Sequence, residues 1–322
     1  MKIAITGANG FVGSGLIRHF QSSGHQVIAI IRKNADAGLM PDCEIHRLDY
    51  SNQNDLLQAL AGVDVLIHNA GMTKALSYTQ MYNANVQLTR IILKTCEQAS
   101  NLKQFIQISS QAASRPSKPG EAITEEAPSA PVTWYGKSKQ RAERVVRESS
   151  PVPYTIIRPC SIYGPGDKDF LQLVKLAAKG MNLRLGTKVR QLNMIHVCEL
   201  ATLIELCFLN DKAFNQTFFA SDGEVYTQDQ IPRLMAKALN VKQIDITVHE
   251  SLARLASLGG EIWGRITQRP VVLNREKIKE FMADSWLCSI EKARNLLGYN
   301  PQPNLEKSIK ETIQWYKEAS WL

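Results

Sequence analysis

Thr6-Gly7-Ala8-Asn9-Gly10-Phe11-Val12-Gly13 follows an apolar run at Lys2–Thr6 and opens a helix-period run at Phe11–Ser22. Three glycines at this spacing are a weak signal by themselves. Between a strand and a helix each has a physical reason to be glycine. Gly7 permits the tight turn, Gly10 lets backbone approach a pyrophosphate, and Gly13 lets the helix pack close to the sheet. The N–H groups and positive dipole end of the helix then face the phosphates. Gly7, Asn9, Gly10, Phe11, Val12 and Gly13 are the expected cofactor-side residues of this loop; the competing reading is a plain glycine-rich turn.

Downstream, apolar runs at 26–31, 44–48, 63–68, 104–109 and 154–158 alternate with helix-period runs at 53–60, 78–99 and 135–148. Strands alternating with helices predict a parallel sheet covered on both faces, and right-handed crossovers make it doubly wound, a Rossmann α/β fold. Beyond Gly166 the rhythm loosens, with helices expected at 170–179, 197–209, 228–239 and 305–318. The expected division is an NAD(P)-binding domain over residues 1–166, to which segments around 190–220 return, and a smaller, mostly helical substrate domain over residues 167–322. A ligand cleft between the two is the natural expectation.

Composition excludes several classes. An apolar share of 44% and a charged share of 21% in 322 residues fit an ordinary globular protein. No run approaches the length of a membrane-spanning helix, and the start has no signal-peptide layout, so a cytoplasmic location is expected. A formal charge of +8 could mark a basic surface for nucleic acid or acidic lipid, but the Lys and Arg are scattered without a dense block, so the expected reading is dispersed charge, some of it serving a phosphorylated cofactor, and no nucleic-acid partner. Cys43, Cys96, Cys160, Cys198, Cys207 and Cys288 form neither a CxxC pair nor a Cys/His cluster; they read as reduced structural thiols, and no metal is expected.

The second apolar run ends without the carboxylate that would accept from the ribose hydroxyls of NAD; Arg32 and Lys33 stand there instead. A guanidinium suits a 2′-phosphate bidentately and stacks on adenine, so NADP(H) is the preferred cofactor and NAD(H) the alternative. The competing reading of Arg32 is the start of a solvated loop. Asp49 and Tyr50 end the third run, with Asp49 placed either to accept from the adenine amine or to cap the next helix.

Tyr135 and Lys139 stand four apart at the start of a helical run and share one face. A tyrosine with a pKa of about 10 is a poor base at neutral pH, and a nearby ammonium is expected to lower that value. The fifth strand ends in Ile108-Ser109-Ser110, on the carboxyl edge where a serine hydroxyl can hydrogen-bond a substrate carbonyl. Asn69-Ala70-Gly71 ends the fourth, with small residues that let backbone pass close to the cofactor. Asn85, a poor helix former inside a helical run, is suited to hold backbone or water near the site, or is an ordinary polar position.

With these residues in view, the chain resembles the extended, or atypical, short-chain dehydrogenases/reductases, a superfamily often labelled NAD-dependent epimerase/dehydratase. The resemblance is carried by Thr6–Gly13, Asn69-Ala70-Gly71, Asn85-Val86, Ser109-Ser110 and Tyr135 to Lys139. It continues through Arg158-Pro159, Tyr163-Gly164-Pro165-Gly166, Ile195-His196-Val197 and Leu296-Leu297-Gly298-Tyr299-Asn300-Pro301. It implies Tyr135 as acid/base, Lys139 as its pKa-lowering partner and ribose ligand, Ser110 rather than Ser109 as the carbonyl-orienting hydroxyl, and Asn85 in support. Pro159 and Ile162 resemble residues that pass beside the nicotinamide. Met72, Ser110, Gln111 and Tyr163 complete the expected substrate contacts. His196 resembles a residue joining the two domains, or is a satisfied structural histidine. The resemblance also implies a homodimer through helices matching 78–99 and 135–148.

Departures narrow the reaction. Gln111-Ala112 follows Ser110 where the dehydratases of the superfamily carry an acidic pair, which argues against expelling water. Arg158-Pro159-Cys160-Ser161 puts serine where epimerases usually carry asparagine, a pattern closer to the dihydroflavonol reductase and 3β-hydroxysteroid dehydrogenase branch. The expected activity is therefore an NAD(P)(H)-dependent oxidoreductase interconverting a ketone and a secondary alcohol. A nucleotide-sugar epimerase with bound NAD is the alternative, and a non-catalytic dinucleotide sensor or assembly subunit a third. The stretch 252–263 is apolar for an exposed helix and is expected to wall an apolar substrate pocket, to meet a partner or membrane surface, or to pack in the core.

Overall fold

The computed structural model describes residues 1–268, 271 and 274–322, apart from the side chain of Arg265. Strands β1 (Lys2–Thr6), β2 (Gln26–Arg32), β3 (Glu44–Leu48), β4 (Val65–His68), β5 (Gln104–Ile108), β6 (Tyr154–Pro159) and β7 (Gln216–Ala220) form one parallel sheet. Their order is β7-β6-β5-β4-β1-β2-β3. This is the doubly wound Rossmann sheet that the alternating pattern predicts. The order reverses between β1 and β4, which opens a crevice at their carboxyl ends. Central strands are buried on both faces and accordingly read as unbroken apolar runs: Val65-Leu66-Ile67-His68 is buried throughout.

Helices cover both faces. On one, α1 (Phe11–Ser22) packs through Leu16, Ile17 and Phe20 against Leu200, Leu203 and Ile204 of α7 (Val197–Leu206), and α11 (Glu291–Leu297) adds Ala293 and Leu297. On the other, α2 (Gln53–Ala59) contributes Leu56, α4 (Leu88–Cys96) Ile92 and Leu93, and α5 (Trp134–Ser149) Val145 and Val146 to a second core, with α4 lying between the other two helices. The single helix expected at 78–99 is broken. A short α3 (Tyr78–Tyr82) passes through a π-helical turn, Asn83–Gln87, into α4. Such wider turns re-aim side chains, and this one holds Asn85.

A third core gathers α6 (Lys168–Ala178), α8 (Gln230–Leu239) and α12 (Leu305–Glu318) through Phe170, Val174, Met235, Ile309, Ile313 and Tyr316. This lobe also carries strands. Met181–Leu185 pairs in parallel with Ile244–Val248, and Gln191–Leu192 lies between Tyr226–Thr227 and Ser285–Trp286. Two further helices, α9 (Glu250–Thr267) and α10 (Arg275–Phe281), lean on the catalytic side.

Candidate active site

The phosphate loop is built as its glycines require. Gly7 adopts φ +64°, and a Cβ there would stand 2.7 Å from the Ala70 Cα, so β1 and β4 could not carry their loops so close. A Cβ at Gly13 would meet the Gly7 carbonyl at 2.5 Å. The N-terminus of α1, after Gly10, has no side-chain cap, which leaves its first N–H groups for an anion. These features fit a dinucleotide pyrophosphate. Asn9 donates from Nδ2 to the Asp36 carbonyl (2.8 Å) and Asn69 from Nδ2 to the Gly7 carbonyl (3.1 Å), so both brace the loop. Phe11 and Val12 are half-buried at the start of α1.

At the outer end of the crevice Arg32 is exposed, and its charge acts on the nearby Tyr50 phenol; among the described residues it makes no ion pair. Tyr50 itself is buried, donates to the Ile30 carbonyl (3.3 Å) and is pushed up to about 12 by burial, so it backs the loop as a neutral phenol. Of the two readings of Asp49, helix capping is excluded. Asn52 caps α2, accepting from Asn54 and Asp55, whereas Asp49 closes a tight turn by accepting from the Ser51 N–H (2.9 Å). That turn also holds the Asp49 carboxyl below its usual range.

Between loop and catalytic helix runs a buried polar chain that sequence reading did not anticipate. Thr89 donates to the Asn85 carbonyl (2.7 Å), so it must accept from His68 Nε2–H (3.1 Å). His68 Nδ1 then accepts from the Thr6 hydroxyl (2.8 Å), which in turn accepts from Ala70 N–H (3.1 Å). Burial drives the His68 pKa down to about 3, so the ring is neutral and this one tautomer satisfies every member. Asn85, buried, grips the loop after Gly71: its Oδ1 accepts from Met72 N–H (2.7 Å) and its Nδ2 donates to the Met72 carbonyl (3.0 Å) and to Ser138 (2.8 Å). Asn85 thus holds backbone, tying the Asn69-Ala70-Gly71 turn to α5.

The two serines after β5 have separate surroundings. Ser109 points inward, donating to Glu143 at 2.6 Å. Glu143 is fully buried and also takes Arg158 at 2.7 and 2.8 Å and Arg147 at 3.0 Å. Ser110 is half-buried; its hydroxyl accepts from the Ala112 N–H at 3.1 Å and lies on the Tyr135 side, where it acts to lower the phenol's pKa. The approach of α5 to this edge depends on Gly136, since a Cβ there would stand 2.1 Å from the Ala112 carbonyl. Glu143 lies one turn beyond Lys139 on the catalytic helix, and that spacing was the signal that could have exposed it.

Lys139 is buried and donates to the Ile108 carbonyl at 2.8 Å; burial brings its pKa down to about 8, against the pull of Glu143. Its Nζ stands beside Gly71, where a Cβ would come within 3.3 Å. The expected lowering of Tyr135 is not found. Burial pushes the phenol up to about 12, with the Ser110 hydrogen bond opposing and the Glu280 carboxylate adding to the rise. The ammonium is turned to the Ile108 carbonyl, and desolvation of the phenolate outweighs it.

The remaining expected contacts divide. Gln111 is buried and its Nε2 has no hydrogen-bond partner among the described residues, so a donor next to Ser110 in the chain is left for other use. Met72 is half-buried. Pro159 ends β6, and Ile162 is half-buried against the first core. Tyr163 departs from expectation: it is a core residue, its ring against Phe170 and His196 and its hydroxyl at Ser308 of α12. His196 caps α7, its Nδ1 accepting from the Cys198 N–H (3.4 Å), which is a structural role.

Above this edge sits the second lobe. Glu276 of α10 accepts from the Trp134 N–H, the first helical residue of α5, at 2.7 Å. Beside it lies a cavity of about 720 Å³ walled by Pro116, Val132, Leu258, Ile278 and Met282, with Arg254 and Lys279 among its lining. Its volume is that of a small-molecule site.

Comparison with known proteins places this arrangement. The chain is 28% identical to the ceramide reductase of Caulobacter vibrioides, covering 99% of this chain and 96% of that protein. It is 27% identical to the UDP-glucose 4-epimerase of Vibrio cholerae, covering 99% and 96%. The crystal structure of gox2253 superposes with a TM-score of 0.81 at 24% identity, over 99% of both chains. Residues 3–218 match the family model described as NAD dependent epimerase/dehydratase family, and the chain belongs to that family of oxidoreductases and epimerases.

Proposed function

We propose that the protein is an NADP(H)-dependent oxidoreductase interconverting a ketone and a secondary alcohol on a substrate with an apolar body. The observation that carries this is that Ser110, just after β5, and Tyr135, in the first turn of α5, come together at the sheet edge that also bears the phosphate loop, near enough for the serine hydroxyl to act on the phenol. A bound nicotinamide would supply or accept the hydride at the carbonyl carbon. Ser110 orients the carbonyl oxygen, and Tyr135 gives that oxygen its proton in reduction and removes it in oxidation. A phenol kept protonated to about 12 is the form reduction requires. Lys139, an ammonium below about 8, would hold the nicotinamide ribose, and Asn85 is a positioning residue for the turn beside it. Arg32 would pair with a 2′-phosphate, and Asp49, free of the helix cap, would serve the adenine amine. Apolar walls in the cavity and the name of the Caulobacter relative support an apolar, lipid-like substrate.

The test is NADPH oxidation against a panel of long-chain ketones. Tyr135→Phe should lower turnover by about 10²–10⁴-fold while cofactor binding persists; equal turnover would end the assignment. Arg32→Asp should weaken NADPH by about 10–100-fold, the worth of a charge-assisted contact, and leave NADH nearly untouched. Likeness to the Vibrio cholerae enzyme favours a second reading, an epimerase. NAD retained through purification, with nucleotide-sugar turnover and no ketone reduction, would select it.

A further inference from the structure

Helix α9 presents an apolar face that the fold leaves open. Leu252, Leu255, Ile262, Trp263 and Ile266 recur along the helix and are each between 57% and 70% exposed. The opposite face, with Ala253 and Ser257, is buried against the protein. An 18-residue helix is about 27 Å long, so the band is a continuous strip rather than scattered surface leucines.

From this band we infer that α9 lies on an anionic lipid surface. Charge selects that occupant. The two acids of the helix are neutralised by the protein itself: Glu250 pairs with the nearly buried Arg190 at 2.7 Å, and Glu261 with Arg275 at 2.5 Å. Arg254, exposed at the edge of the band, makes no ion pair among the described residues. An apolar band with its acids neutralised and a free arginine at its edge is what an interfacial helix on anionic lipid presents. Continuity with the cavity gives the contact a use. Leu258, 41% exposed, borders the band and, with Arg254, also lines the 720 Å³ cavity between α9 and α10. An apolar substrate could pass from the bilayer into that cavity without crossing water. This last step rests on the reading of the substrate as apolar; the surface contact does not.

Flotation of the purified full chain with vesicles tests it. The protein should float with phosphatidylglycerol/phosphatidylcholine vesicles, less with phosphatidylcholine alone, and be released by salt. Trp263→Ser with Ile266→Ser should lower the partition coefficient at least about tenfold, given the worth of two buried apolar side chains. Leu255→Glu should do the same, so the result does not depend on one variant folding well, and Tyr135→Phe should float as the wild type does. A wild type that floats no better with anionic vesicles than without them overturns the proposal. So does a double variant that keeps its flotation, or one that loses only oligomeric mass, which would assign the face to a second copy of the chain. Flotation needs no turnover, so a chain that floats and reduces no ketone would sink the reaction and leave the surface standing.

Discussion

Two regions meet around Tyr135, and different physics holds each. On the nucleotide side the supports are buried and polar: Thr6, His68, Thr89 and Asn85 in one chain, Ser109, Glu143 and Arg158 in another. In a low-dielectric interior an unmet partner is costly, so such networks permit one arrangement. On the other side, α9 and α10 are joined by ion pairs that face water, such as Arg275 with Glu261, α10 carries its own in Lys279 with Glu276, and the outward surface of α9 is apolar. Water weakens each of those pairs, and none of them dictates where α9 and α10 sit. The contrast is between a side fixed by buried polar networks and a side held by weaker, solvent-facing pairs.

Breaking the buried side should have the largest effect. Glu143→Ala strands Arg158 inside the protein and should cost about 3–5 kcal/mol, read from the urea midpoint. Loss under a tenth of that would mean the ion pair is dispensable and the contrast is wrong. Asn85→Ala leaves both polar groups of Met72 unmet and should cost about 1–3 kcal/mol, with a weaker affinity for the dinucleotide as the second readout.

A pH series sharpens the same point. Lys139 has its pKa lowered in the fold to about 8 from 10.5, so between those values the unfolded chain binds the extra proton. Its burial penalty is therefore present below about 8 and is relieved as pH rises toward 10.5. Tyr135, raised to about 12 from 10.0, works in the opposite direction only above 10. Between about pH 8 and 10 the wild type should gain stability relative to Lys139→Met, by at most about 1.4 kcal/mol per pH unit. A flat difference would show that Lys139 is not desolvated. The smallest effect should come from the α9–α10 pair: Arg275→Ala removes an exposed ion pair and should leave the melting temperature at the wild-type value within error.

Much of the fold was legible. Strand and helix periodicities located β1 through β6 within a residue or two, and the glycine spacing marked the tight turn from β1 into α1. The misses share one cause, that a side chain's surroundings are set by residues remote in sequence. Tyr163 reads as a ligand contact beside Gly164-Pro165-Gly166, yet Phe170, His196 and Ser308 enclose it. Asp49 and Asn52 are equally good caps by residue type, and only the entry angle of α2 chose between them. The helix at 78–99 carries no glycine or proline to announce its π-helical turn.

The stretch from Thr6 to Gly13 by itself determined that a strand, a turn and an uncapped helix would form an anion-binding loop, because backbone freedom and periodicity are local properties. Only the tertiary structure decided that Ser109 is tied to Glu143 and Arg158, that burial raises rather than lowers the Tyr135 phenol, and that α9 turns its apolar band outward. Those depend on desolvation and on partners brought from other elements, which no local pattern encodes.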